Sequence, residues 1–418
     1  MSPVVDTFQS MLGRGQVLPW SSLNDTRFKV ADDLSIVFPQ SIEQLSAVVR
    51  TCCEQRWRIL SCGQRTKLSW GCHSILNTVD VVISTARLSH LVEHWVDDFT
   101  ARVEAGMTFA DLQTKLQVQG QFWPVDPLYD QQATVGGIVA TADGGSLRQR
   151  YGSVRDTVIG VQFVRHDGEV VKAGGRVVKN VAGYDLMKLM TGAYGTLGIL
   201  SQLTLRLYPI AAQSQTVVLS GASDAIVEAA LQTRLQGITP VAMDLIGGAD
   251  GVRLAGRFQG ISAGVEEQIA RFQTIANEVG LISQFEEDGT FWSSLVQQLT
   301  HSPTLLCKVG LLPTQLLTLM EMLPVGWQGR LHNASGLGLI ALGANANEAD
   351  LASIADTLEK LRSHCSAHKG YLTILQAPLS LTMDPWGYTG NALTTMKSIK
   401  QQFDPYRLLN PGWFVGGI

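Results

Sequence analysis

Residues 59–70 read ILSCGQRTKLSW, an apolar run that ends in a tight loop offering Gly63, Gln64, Arg65 and Thr66. Entered from a strand, such a loop presents successive backbone N–H groups as a nest that cradles a diphosphate, with the Thr66 hydroxyl and a cation in support. Taken alone, a strand-to-loop turn with one glycine is more often a plain turn. Residues 133–152, ATVGGIVATADGGSLRQRYG, strengthen the signal. They contain Gly136, Gly137, Gly144, Gly145 and Gly152, although glycine inside a regular element costs about 0.5–1 kcal/mol relative to alanine. One doublet is an ordinary turn. Two doublets framed by Ala133, Thr134, Ala140, Thr141 and Ala142 point to something bulky pressed on bare backbone. A third stretch, KNVAGYDLMKLMTGAYGTLGIL (179–200), places Gly192, Gly195 and Gly198 three residues apart and leads into a buried strand.

Other patterns carry less. No G-x-G-x-x-G fingerprint occurs, and GLGLIALG (336–343) has the wrong spacing and fits a strand, so a nicotinamide-binding Rossmann domain is disfavoured. HLVEH (His90–His94) matches a metalloprotease pattern that needs a helix, but it runs into WVDDFTARVEAG, which reads as strand and turn. His364 and His368 lie four apart near a helix end, where capping is the expected role. His332 in RLHNASG stands alone and is expected to be a satisfied structural histidine. Tyr184 and Asp185 fit a functional role and a buried Tyr–Asp hydrogen bond equally. Arg253, Arg257 and Arg330 could hold a carboxylate, but charges alternating along strands are usually solvated.

The elements that must position these residues fall into two textures. From about 27 to 208, short strands and helices are separated by glycine-rich turns. DLSIVFPQ, WRILSCGQRT and ARVEAGM read as strands. SIEQLSAVVRTCCEQ reads as a helix capped by Ser41 with Leu45, Val48 and Val49 on one face, and TFADLQTKLQVQG as a helix running from Thr108 to Gly120. DTVIGVQFVRHDGEVVKAG reads as a hairpin turning at Asp167-Gly168, and TLGILSQLTLRLYP as a strand that stops at Pro209. From about 210 to 390 the pattern is strand, helix, strand, strand, helix (AGVEEQIARFQTIANEVG), then GLGLIALG, a helix to His368 and the strand YLTILQAP. That pattern is α+β with a mostly antiparallel sheet. A last helix spans 392–402, and no internal sequence repeat is evident.

With 418 residues, 45% hydrophobic and 16% charged, the chain is globular and large enough for two or three folding units. A net charge of −4 without a basic cluster argues against nucleic acid. No secretory leader and no apolar run of spanning length is evident. Six cysteines without a C-x-x-C read as reduced thiols in a cytoplasmic protein, and they supply no iron–sulfur ligand set.

The order SCGQRTKLSWG, VEAGMTFADL, ATVGGIVATADGGSLRQRYG through GTLGIL, then FDPYRLLNPG, resembles the vanillyl-alcohol-oxidase (PCMH-type) FAD-binding oxidoreductases. Within that family it is most similar to the FAD-binding subunits of glycolate oxidases, or glycolate dehydrogenases. The likeness is specific over 27–208, looser through 210–390, and sharp again at MDPWGY and the C-terminal motif. It implies an α+β architecture: an N-terminal extension (1–26), a two-subdomain PCMH-type FAD-binding domain (27–208), a ferredoxin-like cap (209–390) and a tail (391–418) returning to the flavin. The family's flavin contacts fall on Ser61, Cys62, Gly63, Gln64, Arg65 and Thr66 for the diphosphate. Ala133, Thr134, Val135, Gly136 and Gly137, with Ala140, Thr141, Gly144 and Gly145, fall along diphosphate and ring, while Ile199 falls near the adenine side or the ring edge and Asn410 approaches from the C-terminus. Valine at Gly136 or Gly137 is expected to abolish flavin binding, by resisting positive φ and by filling the ligand's space.

Two departures from the family matter. Members with covalent flavin carry histidine where this chain has Thr66, so the FAD is expected to be non-covalent. Relatives that oxidise D-2-hydroxy acids carry paired histidines and a glutamate in the cap for a metal and proton abstraction, a set not found here, so the catalytic base is unassigned and no metal is expected. The resemblance implies a subunit passing electrons from flavin to an iron–sulfur partner beside a second flavoprotein subunit, acting on a small 2-hydroxy acid and reaching the membrane only through partners. A self-sufficient flavoenzyme for another small alcohol or 2-hydroxy acid, and a flavin-binding structural subunit without electron traffic, are the alternatives.

Overall fold

The computed structural model describes residues 3–23, 34–71, 78–176, 184–301, 303–343 and 351–418. Contacts divide the chain into two units: Met1–Gly144 with Ser153–Pro209 and Gly390–Ile418, and Gly145–Gly152 with Ile210–Thr389.

The first unit opens with α1 (Pro3–Leu12) and β1 (Val17–Pro19), so the segment read as an extension is built into this unit. Phe8 of α1 is fully buried, and β1 pairs with β2 (Ser35–Val37). Next come α2 (Ile42–Gln55), β3 (Ile59–Cys62) and β4 (Val81–Ser84), giving a sheet ordered β1-β2-β4-β3 with its last three strands parallel. Ser41 caps α2, its hydroxyl accepting from Gln44 N at 3.2 Å, and Leu45, Val48 and Val49 are buried as the spacing predicts.

β5 (Leu91–Trp95) and β6 (Thr100–Glu104) are followed by α3 (Phe109–Gln117), where Thr108 accepts from Asp111 N at 3.1 Å. β7 (Gln121–Phe122) and α4 (Val135–Thr141) come next, and the short α5 (Arg148–Tyr151) lies in the second unit. α6 (Val154–Thr157), β8 (Val158–Val164), β9 (Val170–Gly174), α7 (Leu186–Met190), β10 (Ile199–Arg206) and β11 (Tyr208–Pro209) follow. The five-stranded sheet β5-β6-β10-β8-β9 is wholly antiparallel. Its β8–β9 hairpin turns where Gly168 takes φ +83°, at Asp167-Gly168 as read from sequence. Every residue of β8 is buried, so both faces of the sheet are covered there.

The second unit is an eight-stranded antiparallel sheet. Its elements are β12 (Gln213–Ser220), α8 (Ser223–Leu235), β13 (Ala242–Gly248), β14 (Gly251–Gly260), α9 (Ser262–Glu278) and β15 (Ile282–Glu286). After α10 (Asp288–Thr300) come β16 (Leu305–Gly310), α11 (Leu316–Glu321), β17 (Trp327–His332), β18 (Leu337–Leu342), α12 (Leu351–Ala367) and β19 (Tyr371–Gln376). The strand order is β15-β12-β14-β13-β17-β18-β16-β19. Each half is βαββαβ with its fourth strand outermost, the ferredoxin-like arrangement, and the halves join through their second strands, β13 and β17. The duplication that sequence does not reveal is thus present in topology. One face buries Leu245, Leu254, Phe258, Phe272, Leu331 and Leu358 beneath the helices; the other packs Ala242, Ile246 and Ala255 against Trp292 of α10. The final helix, α13 (Leu393–Phe403), belongs to the first unit.

Candidate functional site

β3 delivers the loop at 63–67 to a cleft in the first unit. Arg65 takes φ +64°, so the chain reverses its curvature there, as in an anion nest. Among the described residues, none accepts a hydrogen bond from the backbone N–H of Gly63, Gln64 or Thr66. Gly63 and Thr66 are half-buried while Gln64 is exposed, and N–H groups withdrawn from solvent are seldom left unmade in a finished fold. These three donors therefore suit an acceptor-rich anionic ligand such as a diphosphate.

α4 flanks the loop, and here the structure corrects the sequence reading. Gly136 and Gly137 lie in helix, not in a turn of positive φ. Gly136 is small because a Cβ would stand 2.8 Å from both Cβ and O of Ala105, at the end of β6. A Cβ on Gly137 would meet only Thr134 Oγ1, at 3.0 Å. The first donors of α4 are already used: Val135 N by Met107 O, Gly136 N by Ala105 O, and Gly137 N by Thr134 Oγ1 at 3.2 Å. The diphosphate donors on offer are those of the loop, not of this helix end. Gly63 lets the two meet, since a Cβ there would fall 2.1 Å from Thr134 Oγ1.

The C-terminal segment closes the cleft. Ser61 N and Oγ donate to Asn410 Oδ1 at 2.8 and 3.1 Å, and Asn410 Nδ2 donates to Tyr194 O at 2.7 Å. Beneath the loop, Lys67 Nζ pairs with Asp143 Oδ2 at 2.6 Å, both side chains being buried, and Asp143 also accepts from Leu128 N at 2.9 Å. Burial pushes the Lys67 ammonium below its ordinary range while Asp143 opposes that shift. This pair ties the loop to the turn that follows α4.

Of the residues singled out from sequence, Ser61 through Thr66 line the cleft, as do Thr134, Gly136, Gly137, Ala140 and Thr141, and Ile199 and Asn410. Ala133, Val135 and Gly144 do not. Ala133 and Val135 are core residues, and a Cβ on Gly144 would stand 3.3 Å from Val154. Gly145 falls in the second unit. Lys67, Tyr194, Gly195 and Trp413 line the cleft without having been assigned. Gly195, which its three-residue spacing with Gly192 and Gly198 singles out in the sequence, has φ +71°, and a Cβ there would stand 2.5 Å from Ser61 Oγ.

The histidine motifs do not converge. His90 Nδ1 meets Glu104 at 2.7 Å and His94 Nε2 meets Gln121 at 3.0 Å, on a strand. His368 Nδ1 meets His364 O at 2.9 Å at the end of α12, a capping contact. Tyr184 is 89% exposed and Asp185 pairs with Lys188, so there is no buried Tyr–Asp bond. His332 is buried and hydrogen-bonded, as expected of a structural histidine, but within the second unit it does not stand alone. Asp244 of β13 lies opposite His332 of β17 in register and contacts its Nδ1 at 3.0 Å. Arg330 Nε donates to Asp244 at 2.7 Å, and Ser146 Oγ lies 2.7 Å from His332 Nδ1 and against Asp244. Asp244 is fully buried and Arg330 is 4% exposed, so this strand arginine is not solvated. Burial opposes ionisation of Asp244, but His332, Arg330 and Ser146 together outweigh it and hold the carboxyl at about 2. Polar residues inside the apolar runs PVAMDLI and GRLH were the available signal. Among the described residues, no group of three or more His, Cys, Asp or Glu is placed to hold a metal ion.

Residues 34–174 match the family model of the FAD binding domain. The D-lactate dehydrogenase (cytochrome), mitochondrial, of Arabidopsis thaliana is 34% identical over 213 residues, 50% of this chain and 37% of that one. Glycolate oxidase subunit GlcE of Escherichia coli (strain K12) is 28% identical over 319 residues, 75% of this chain and 80% of that one. The solved structure of p-cresol methylhydroxylase with substrate bound matches at TM-score 0.74 and 14% identity, over 98% of this chain and 95% of that chain. The chain spans less than half the length of the D-lactate and D-2-hydroxyglutarate dehydrogenases it matches. No described helix is long and apolar enough to cross a membrane. Residues 34–174 are thus similar to the FAD binding domain family, the group named for its FAD cofactor, and the chain shares the PCMH-type fold of p-cresol methylhydroxylase.

Proposed function

We propose that this chain is an FAD-dependent oxidoreductase subunit of a glycolate-type, 2-hydroxy-acid-oxidising complex, whose electrons leave through a separate iron–sulfur subunit. The observation that carries the flavin reading is the set of unmade N–H groups at Gly63, Gln64 and Thr66 on the wall of the cleft. In this reading residues 27–208 and 391–418 hold FAD. The 61–66 loop takes the diphosphate, Gly137, Ala140 and Thr141 lie along the ring side, and Asn410 fixes the loop through Ser61. When bound, FAD supplies two-electron redox chemistry. The protein's part is to hold it, orient it and exclude water. The likeness to GlcE over four-fifths of that subunit supports membership of a complex. The free thiols of Cys52, Cys53, Cys62, Cys307 and Cys365 suit a reducing, cytoplasmic location.

Thr66 offers no ring nitrogen for a flavin link, so acid precipitation should release all flavin into the supernatant; a yellow pellet contradicts non-covalent binding. The purified, flavin-loaded chain should reduce an artificial dye with glycolate at a rate lower by about 10²–10⁴ than the complex, the usual cost of lacking a general base. Adding the second flavoprotein and iron–sulfur subunits should restore the rate. Vigorous turnover by the lone chain would replace this reading with that of a self-sufficient enzyme. Absence of flavin reduction in the assembled complex would leave a structural subunit.

A further inference from the structure

The two halves of the second unit end differently. β15 and β19 are equivalent fourth strands, and each is an outer strand of the sheet. β19 is covered by its own chain: Ile374 N donates to Pro385 O at 2.7 Å, and Thr373 Oγ1 to Trp386 O at 3.5 Å. β15 pairs with β12 alone, and among the described residues no backbone hydrogen bond reaches its other side. Outer strands are ordinarily blunted by lysine, proline or a bulge. β15, Ile-Ser-Gln-Phe-Glu, has no Lys or Pro and runs in unbroken register from Ile282 to Glu286. Ile282 is 72% exposed and Phe285 54%.

The charge around this edge is one-sided. Residues 272–307 contain no Lys or Arg but include Glu278, Glu286, Glu287 and Asp288. Arg257 neutralises Asp288, while Glu286 and Glu287 face no basic side chain among the described residues. The edge therefore offers unpaired backbone, two apolar side chains and an acidic end. An added strand satisfies the first, and apolar and basic side chains alternating along it satisfy the others. A second copy of this chain fits poorly. Antiparallel self-pairing centred on Gln284 sets Ile282 against the Glu286 carboxylate, and centred on Phe285 it sets Glu286 and Glu287 against Gln284 and Ser283 and gives neither carboxylate a basic partner.

We propose that β15 is a docking edge, on which an extended apolar and basic segment of a partner subunit adds as a ninth strand. This rests on the reading that the chain works in a multi-subunit complex. The test is hydrogen exchange on the chain alone and in the complex obtained by co-production with the second flavoprotein and iron–sulfur subunits. Amides of 282–286 should exchange at least tenfold more slowly in the complex. Phe285→Lys and Glu286→Lys should each weaken assembly at least tenfold with flavin content unchanged. A complex that forms with these amides unaltered, or that both variants join normally, overturns the docking edge and leaves the complex reading standing. No complex, with glycolate turnover by the lone chain, overturns both. Slow exchange of these amides in the lone chain, together with a dimer by light scattering, makes a second copy the occupant and overturns the partner strand.

Discussion

Gly63 has no side chain because Thr134 Oγ1 occupies the place where one would go. Substituting Gly63→Ala should lift the diphosphate loop from the α4 cap, lowering the flavin-to-protein absorbance ratio at least severalfold in protein that stays folded. Gly63→Ala with Thr134→Ala, which removes the obstructing hydroxyl, should recover part of the flavin. Equal flavin loss in single and double variants would mean that the close approach is not what the glycine serves. In the second unit, Asp244 is the carboxylate that balances Arg330 and orients His332. Asp244→Asn leaves a buried guanidinium without its counter-charge and should cost about 3–5 kcal/mol in urea unfolding. The pH dependence follows from the same contacts. Asp244 is held at about 2 against an ordinary 3.8, so its contribution is present above about pH 4. It is lost as pH falls from there toward 2. A variant lacking Asp244 should show a shallower fall in stability over that window.

At the scale of elements, features that depend only on neighbouring residues are legible in the sequence. Ser41 and Thr108 cap the helices expected of them because an N-cap needs only its own side chain and an N–H two or three residues on. The Asp167-Gly168 hairpin is equally local. α4 was missed because its glycines argue against a helix, and what overrides them is tertiary: α4 sits so close to the end of β6 that only glycine fits at 136. The Asp244–His332 pair was missed because strand pairing across 88 residues leaves no periodic mark in either strand. The ferredoxin-like duplication was hidden for a similar reason, since topology can repeat while side chains diverge. Gly136→Val follows from the corrected picture. Its side chain strikes Ala105, so the variant should lose about 1–3 kcal/mol by overpacking as well as flavin. A stable apoprotein, with an unfolding midpoint in urea equal to that of wild-type apoprotein, would show that α4 tolerates the bulk and that the ligand alone is displaced.

The whole chain carries separate cores for its two units. Val103, Leu112, Trp123, Ile138, Phe163 and Leu203 belong to one cluster of the first unit, and Leu45, Ile59 and Ile83 to another. The second unit is built on Leu254, Phe258, Phe272, Leu331 and Leu358. The cleft-lining residues named here all belong to the first unit. A ligand that binds the folded state of one unit stabilises that unit by mass action, by about 2.7 kcal/mol when its free concentration is a hundred times Kd. Chains with two independent cores need not unfold in one step. Calorimetry of the apoprotein should therefore resolve two transitions, and added FAD should raise the midpoint of one while leaving the other in place. Gly63→Ala should abolish that response to FAD without moving the second transition, and Asp244→Asn should lower the second while the first still responds to FAD. A single transition that FAD shifts as a whole would show instead that the two units unfold as one cooperative body, with flavin binding felt through all of it.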